Sequence, residues 1–390
     1  MRKSRLPSQL APRRRLPRPS KAVEDFGFGI EEEYFLADAQ TMEAPRETPE
    51  SLFSETSAAI GGKAGREFLQ AQIEVSTEPQ KTAAAARQRL ASLRAGAGES
   101  AARLGLAILA SGTHPLADWP EISHSVSKRY DGVMRALQMV GRRNMLCGMH
   151  VHVELPDPSR RVELMGRLTP YLPLLLALST SSPFWQGRKT GLKGYRLAAY
   201  DEIPRTGIPE FFAGEQDYKA YAGALVGSGA IVDESHIWWM LRPSLKYPTI
   251  ELRAPDCCTR IEDAIAIACL FRVLTRNLYR HGGARPASPL QRALAVENKW
   301  QAQKNGVEAT FATEAGPISV GEMLRAVIEM TAEDAAVLDC EQDVAYCLTI
   351  VAQGTSAEEQ LKVFEQQETA DEPKSVKAVA RWIAEATMRA

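Results

Sequence analysis

Two stretches, FGFGIEEEYFLA (residues 26–37) and GMHVHVEL (residues 148–155), decide the fold. Both are rich in aromatic and β-branched residues, and both alternate. Side chains two apart on a strand share a face. In the first stretch Gly29, Glu31, Glu33 and Phe35 share one face. Phe28, Ile30, Tyr34 and Leu36 share the other, interrupted by Glu32. In the second, His150, His152 and Glu154 oppose Met149, Val151, Val153 and Leu155. The pattern recurs at Glu67–Val75, where Gln70, Gln72 and Glu74 oppose Leu69, Ala71, Ile73 and Val75. It recurs again at Thr249–Ala254, where Thr249, Glu251 and Arg253 oppose Ile250, Leu252 and Ala254. Four strands with one apolar and one polar face predict an α+β fold, an antiparallel sheet with helices on its apolar side.

Any one of these polar faces reads as a solvated surface. The set does not, because solvated strands favour Thr, Ser, Lys and mixed charge, whereas here glutamates gather beside two histidines. Carboxylates on one face repel unless cations neutralise them. Their oxygens suit Mg²⁺ or Mn²⁺, the latter tolerating an imidazole. Such sites commonly hold nucleotide phosphates. There is no Walker A sequence, and Gly27-Phe28-Gly29 is not a dinucleotide-binding fingerprint. Bound ATP would therefore rest on metals and arginines. Glu67 lies seven residues before Glu74, so a straight strand puts the two on opposite faces. Only a bulge or bend would bring Glu67 into the cluster, and it ranks below Glu74.

Outward from the strands, Thr82–Leu104, Ser127–Val140 and Ile261–Tyr279 read as helices. So does Arg160–Thr180, with Pro170 and Pro173 expected to break it. Leu106–Ala110 is a short strand. Residues 181–215, rich in Gly, Pro and aromatics, read as an irregular lid or binding loop. After Leu290 the chain reads as helices interrupted near 310–317, 354–356 and Pro373. Nothing marks a second domain within 23–390, so the expectation is one domain with a helical C-terminal part.

The 390 residues carry 47 Lys and Arg against 48 Asp and Glu. Eight of the basic residues and none of the acids fall in residues 1–21, which leaves the rest net acidic. That argues against a nucleic-acid partner. With four prolines and no periodicity, residues 1–22 read as a disordered basic tail rather than a secretory signal. No apolar run nears the roughly 18–20 residues of a membrane span. Six cysteines without a C-x-x-C pair predict reduced thiols and a cytoplasmic location.

At these residues the sequence resembles the type 2 glutamate–cysteine ligases, also called carboxylate–amine ligases. The matching segments include GIEEEYFL (29–36), QIEVST (72–77), CGMHVHV (147–153), PRTG (204–207), WWMLRP (238–243), TIELR (249–253) and ENKW (297–300), in family order. The resemblance implies a glutamine-synthetase-like fold, with a curved antiparallel sheet and helices on its outer face. It implies metal ligands at Glu31, Glu33, Glu74, His150 and Glu251. It further implies catalytic contacts from His152 and Arg253, and nucleotide or carboxylate contacts from Arg196, Arg205 and Arg242. The implied activity is ATP-dependent amide formation through an acyl phosphate, with ATP and Mg²⁺ or Mn²⁺ as cofactors. The partners would be small amino acids and amines, with a homodimer allowed. Lys189 and Met240 depart from the family pattern, each standing where an Asp is usual, and Lys299 replaces an Arg. Three other readings stay open: a degenerate ligase fold that binds without turnover, a zinc hydrolase using the H-x-H strand, and the same fold phosphorylating a guanidino group.

Overall fold

The structure, a computed structural model, describes residues 26–67, 69–118, 128–282, 288–367 and 371–389. The basic tail expected over 1–22 lies outside the described residues. The strands are β1 (Phe28–Asp38), β2 (Gly65–Arg66), β3 (Gln72–Ser76), β4 (Leu106–Leu109), β5 (Met149–Glu154), β6 (Phe184–Trp185), β7 (Arg188–Lys189), β8 (Leu241–Pro243), β9 (Thr249–Leu252), β10 (Thr310–Thr313) and β11 (Gly316–Ser319). The helices are α1 (Glu50–Ile60), α2 (Ala83–Arg103), α3 (Lys128–Leu137), α4 (Met139–Arg142), α5 (Arg161–Leu168), α6 (Leu172–Ser179), α7 (Tyr195–Tyr200), α8 (Glu215–Gly227), α9 (Ile261–Arg280), α10 (Pro289–Asn305), α11 (Val320–Val337), α12 (Glu341–Gln353), α13 (Ser356–Glu365) and α14 (Glu372–Thr387).

The main sheet runs β2-β3-β1-β5-β9-β8, every pairing antiparallel. The long β1 is its centre. Residues 31–35 pair with β3 along one edge. Along the other, residues 28–32 pair with β5 and residues 35–38 with β4. Helices α2 and α9 lie against the apolar face. Thr82 starts α2 by accepting the Ala85 N–H, which satisfies an otherwise orphan donor. The fold is the α+β class that the alternation predicts, an antiparallel sheet with helices against its apolar face.

Glu32, the break in the apolar alternation, points into this helical layer. It is fully buried and takes a bidentate pair from Arg94 of α2, at 2.9 Å from Nε and 2.5 Å from Nη2. Tyr34 donates to the same carboxylate at 2.5 Å. Arg94 spends its remaining donors on the carbonyls of Cys258 and Thr259, both at 2.7 Å. The ion pair thus ties the central strand, α2 and the turn before α9 together.

Pro170 and Pro173 act as expected. The first sits in a 3₁₀ turn at residues 169–171, and the second in the first turn of α6, where a missing N–H costs nothing. Two expectations need correction. Residues 181–215 are not irregular throughout, since they hold the β6–β7 hairpin and α7. The interruption near 310–317 is a β10–β11 hairpin, pinned by Asn298, whose amide bonds both the N–H and the C=O of Ala312. The six cysteines are free and buried. No described helix is long and apolar enough to cross a membrane.

His114 belongs to the core. Its Nδ1 accepts from the N–H groups of Leu116 and Ala117, and its ring meets Phe35 edge-on. Burial pushes its pKa down to about 3. Because the folded value lies below the unfolded one near 6.5, its contribution is complete above that pH and is lost as pH falls. The expected slope is about 1.4 kcal/mol per pH unit between pH 6 and 4. His114→Gln should flatten that part of a urea-unfolding pH series; an unchanged slope would count against it.

Candidate active site

Strand register builds the site. Glu33 stands opposite Glu74, and Glu31 opposite His150. His152 stands opposite Glu251, which stands opposite Arg242. All seven lie on the face away from α2 and α9. They line a cavity of about 750 Å³ with Arg196, Arg253 and Tyr200.

One end of the row is carboxylate. Carboxylate oxygens of Glu33, Glu67 and Glu74 lie within 4.8 Å of one another. Glu67 joins because residues 65–76 form a hairpin, with Gly65 opposite Glu74, rather than one straight strand. Position 67 therefore returns to the face of Gln72 and Glu74. Residues 67–71 contain no Gly, Pro, Asn or Asp, so the sequence carried no turn signal there. Burial pushes the Glu74 carboxyl well up, and the neighbouring Glu67 adds to it. Burial also raises Glu33, against the pull of Arg196 and a 2.6 Å hydrogen bond from the Gly148 N–H.

In the middle Glu31 sits between two imidazoles, 3.4 Å from His150 Nδ1 and 3.4 Å from His152 Nε2. Burial alone would raise its pKa, but the two histidines outweigh burial and hold it well below the usual carboxylate range. Burial and the nearby Arg253 push His150 down to about 4. His152 is raised: burial opposes its charge, but Glu31 and Glu251 prevail. Nε2 of each ring is buried without a well-aligned hydrogen bond.

The other end is arginine. Arg242 grips Glu251 bidentately at 2.8 and 3.0 Å, and Arg253 donates to it at 2.5 Å. Both Glu251 oxygens are thereby engaged, and the two arginines overcome burial to hold its pKa low. Arg196 lies under the cavity floor. Its guanidinium reaches the carbonyls of Arg253, Ala254 and Pro255. Position 148 is glycine for that reason, since a Cβ there would fall 2.1 Å from Arg196 Nη2.

The row brings together nine of the ten residues singled out from sequence. Arg205 is the exception, for it lines a second cleft. The departures from the family pattern lie off the cavity wall. Lys189 pairs with Glu365 at 3.4 Å and covers Phe364. Met240 is buried, its N–H bonded to Gly207.

The donor set fits a hard divalent cation: three converging carboxylates, with Glu31 and His150 adjacent. Next to it the arginines offer fixed positive charge. The face can hold an anion at one end and a metal at the other.

A family model described as glutamate–cysteine ligase family 2 matches residues 27–378. A protein of Bradyrhizobium diazoefficiens, provisionally named glutamate–cysteine ligase 2, is 50% identical over 369 residues, covering 94% of this chain and 85% of its own. A Rhodospirillum rubrum protein of the same name is 42% identical over 346 residues, covering 87% and 89%. Among solved structures, a glutamate–cysteine ligase of Francisella tularensis in complex with AMP aligns over 93% of this chain and 89% of its own, with a TM-score of 0.68 at 13% identity. A bifunctional glutathione synthetase of Pasteurella multocida aligns over 93% of this chain with a TM-score of 0.67 at 15% identity; this chain spans 53% of it. A family match over residues 27–378, with a relative 50% identical along 94% of the chain, means that the chain belongs to glutamate–cysteine ligase family 2.

Proposed function

We propose that the protein is an ATP-dependent carboxylate–amine ligase that joins the side-chain carboxylate of glutamate, or a close analogue, to an amine through an acyl phosphate. The observation that carries this reading is the split sheet face, part of a cavity lined by six glutamates and four arginines. A carboxylate is a poor acyl donor because oxide cannot leave. Its oxygen attacks the γ-phosphorus of ATP, the β,γ-bridging P–O bond breaks, and ADP departs. The amine, as its free base, then attacks the acyl carbon, the C–O bond to phosphate breaks, and the proton lost from nitrogen leaves with the phosphate. No enzyme nucleophile is needed, so the work is positioning and charge neutralisation.

Glu33, Glu67 and Glu74, with Glu31, His150 and Glu251 beside them, would hold Mg²⁺ or Mn²⁺, which when bound supplies neutralisation of phosphate and carboxylate oxygens. Arg242 and Arg253 share one carboxylate, Glu251. The cluster is net cationic and rigid, suited to a transferring phosphoryl group. His152, braced by Thr249 Oγ1 at 2.9 Å, presents Nε2 to the same region. Arg196 supports the floor under the acceptor carboxylate. The three converging side chains, Glu33, Glu67 and Glu74, offer only oxygen, with His150 the one imidazole beside them, which favours this reading over a zinc hydrolase.

The test is direct. Supply ATP, Mg²⁺, an amine panel and glutamate labelled with ¹⁸O in its side-chain carboxylate. ADP release, new amide mass and one ¹⁸O in the phosphate are expected. Glu31→Gln should cut turnover at least about 100-fold with unfolding unchanged in cooperativity. Amide formed without label in the phosphate would remove the acyl phosphate, and unimpaired Glu31→Gln would remove the site.

A further inference from the structure

Beside the main cavity, and joined to it at Val133, Leu137, Ser235 and Trp238, lies a second cleft of about 460 Å³. That is the size of a small-molecule site. Its character is the opposite of its neighbour's. The α3 side offers Ala136 and Leu137, and the facing loop offers Ile231 and Val232, with Asp233 beside them standing 3.6 Å from His236 Nδ1. Arg205 stands in its wall.

Arg205 is held there at a cost. Its φ is 64°, a left-handed conformation that a non-glycine residue keeps only when its surroundings impose it. Two bonds impose it: the Trp238 N–H donates to the Arg205 carbonyl at 2.9 Å, and Arg205 Nε donates to the His236 carbonyl at 3.0 Å. The guanidinium carbon stands 5.5 Å from the Trp238 ring centroid. With Nε spent on the backbone, the two terminal nitrogens make no hydrogen bond or ion pair among the described residues. A strained arginine with a free fork, beside an apolar cleft that opens into a reaction cavity, is built for a ligand that is both anionic and apolar.

We propose that this cleft is the amine-side specificity pocket, taking the apolar side chain of an α-amino acid whose carboxylate meets Arg205, so that the preferred amine is of the leucine or phenylalanine class rather than cysteine. The inference rests on the ligase reading above. A carboxylate matches the terminal guanidinium nitrogens bidentately. Once it is held and the side chain fills the cleft, the ammonium is the remaining polar substituent on Cα. It is then free to point through the junction toward the acyl phosphate. Cysteine, with one methylene and a thiol, would leave most of the cleft wet. An adenine ring would fill it too, but it offers no charge to the arginine.

Calorimetric titration of the full chain with L-leucine, L-phenylalanine, L-cysteine, isoamylamine and MgATP tests this, alongside ADP release with glutamate and the same amines. Leucine or phenylalanine should bind, and turn over by kcat/KM, at least about tenfold better than cysteine. Arg205→Ala should weaken leucine about tenfold or more and leave isoamylamine, which lacks the carboxylate, little changed. Ala136→Trp, which fills the cleft, should move the leucine-to-cysteine ratio about tenfold toward cysteine. The proposal falls if cysteine is preferred, or if Arg205→Ala weakens MgATP in place of the amino acids, which would give the cleft to the nucleotide. Leucine binding that depends on Arg205 without ADP release from any amine would overturn the ligase reading and leave the pocket standing. ADP release with cysteine preferred would do the reverse.

Discussion

Glu74→Gln should abolish turnover and, in metal-free protein, make the fold more stable. The two effects have one cause. Glu74 is held against Glu33 and Glu67, with carboxylate oxygens within 4.8 Å. Burial and Glu67 already push its carboxyl toward the protonated form. Without a cation the trio is repulsive, and an amide of the same shape relieves it. Unfolding free energy in EDTA should rise, because the amide carries no charge to bury or repel. With a divalent cation the sign reverses. A ligand that binds the folded state stabilises it by about 2.7 kcal/mol at a hundredfold excess over Kd, and the variant should lose most of that increment. ADP release should fall at least about 100-fold. Urea unfolding with and without Mg²⁺, beside the turnover assay, reads all three. A variant that keeps both Mg²⁺-dependent stabilisation and turnover would remove Glu74 from the metal site.

The second large effect sits on the opposite face of the same strand. Glu32→Ala or Arg94→Ala should each cost about 3–5 kcal/mol, because each leaves an uncompensated buried charge. Arg94 stranded would still bond the carbonyls of Cys258 and Thr259, and Glu32 stranded would still accept from Tyr34. Neither remnant neutralises the ion. The double variant Glu32→Met/Arg94→Met removes both charges and should recover most of the loss, since apolar replacement of a buried pair is often neutral. Equilibrium urea unfolding measures it. Single variants of wild-type stability would mean that the pair carries no structural weight. Catalysis gives a second check, because the double variant keeps the polar face of β1 intact and should keep turnover.

These two predictions mark what was legible in the sequence. Glu33 and Glu74 were readable from alternation alone, because period-two patterning fixes the face of every side chain in a straight strand. Glu67 was not, because its face depends on a hairpin at residues 65–76 that breaks the straight-strand count. Glu32 was visible only as a fault in the apolar pattern. Its explanation, Arg94, lies 62 residues away on another element, and no local periodicity encodes that pairing. The β10–β11 hairpin escaped notice for a related reason: its short, mostly exposed strands carry little alternation, and its partner is the side chain of Asn298.

Site chemistry divides the same way. The sequence by itself determined an antiparallel sheet with an acidic, histidine-bearing face, and with it the residue types able to hold a metal and phosphates. That information is local, since it follows from side chains alternating across each strand. Alternation also put Arg253 on that face, but only the tertiary structure decided which other arginines serve it. Arg242 and Arg253 close on Glu251, Arg196 slides beneath Gly148, and Arg205 turns away into a second cleft. Long flexible side chains leave loops and strand ends in directions set by packing and backbone conformation, including the left-handed φ of Arg205. Those directions exist only once distant segments have been brought together.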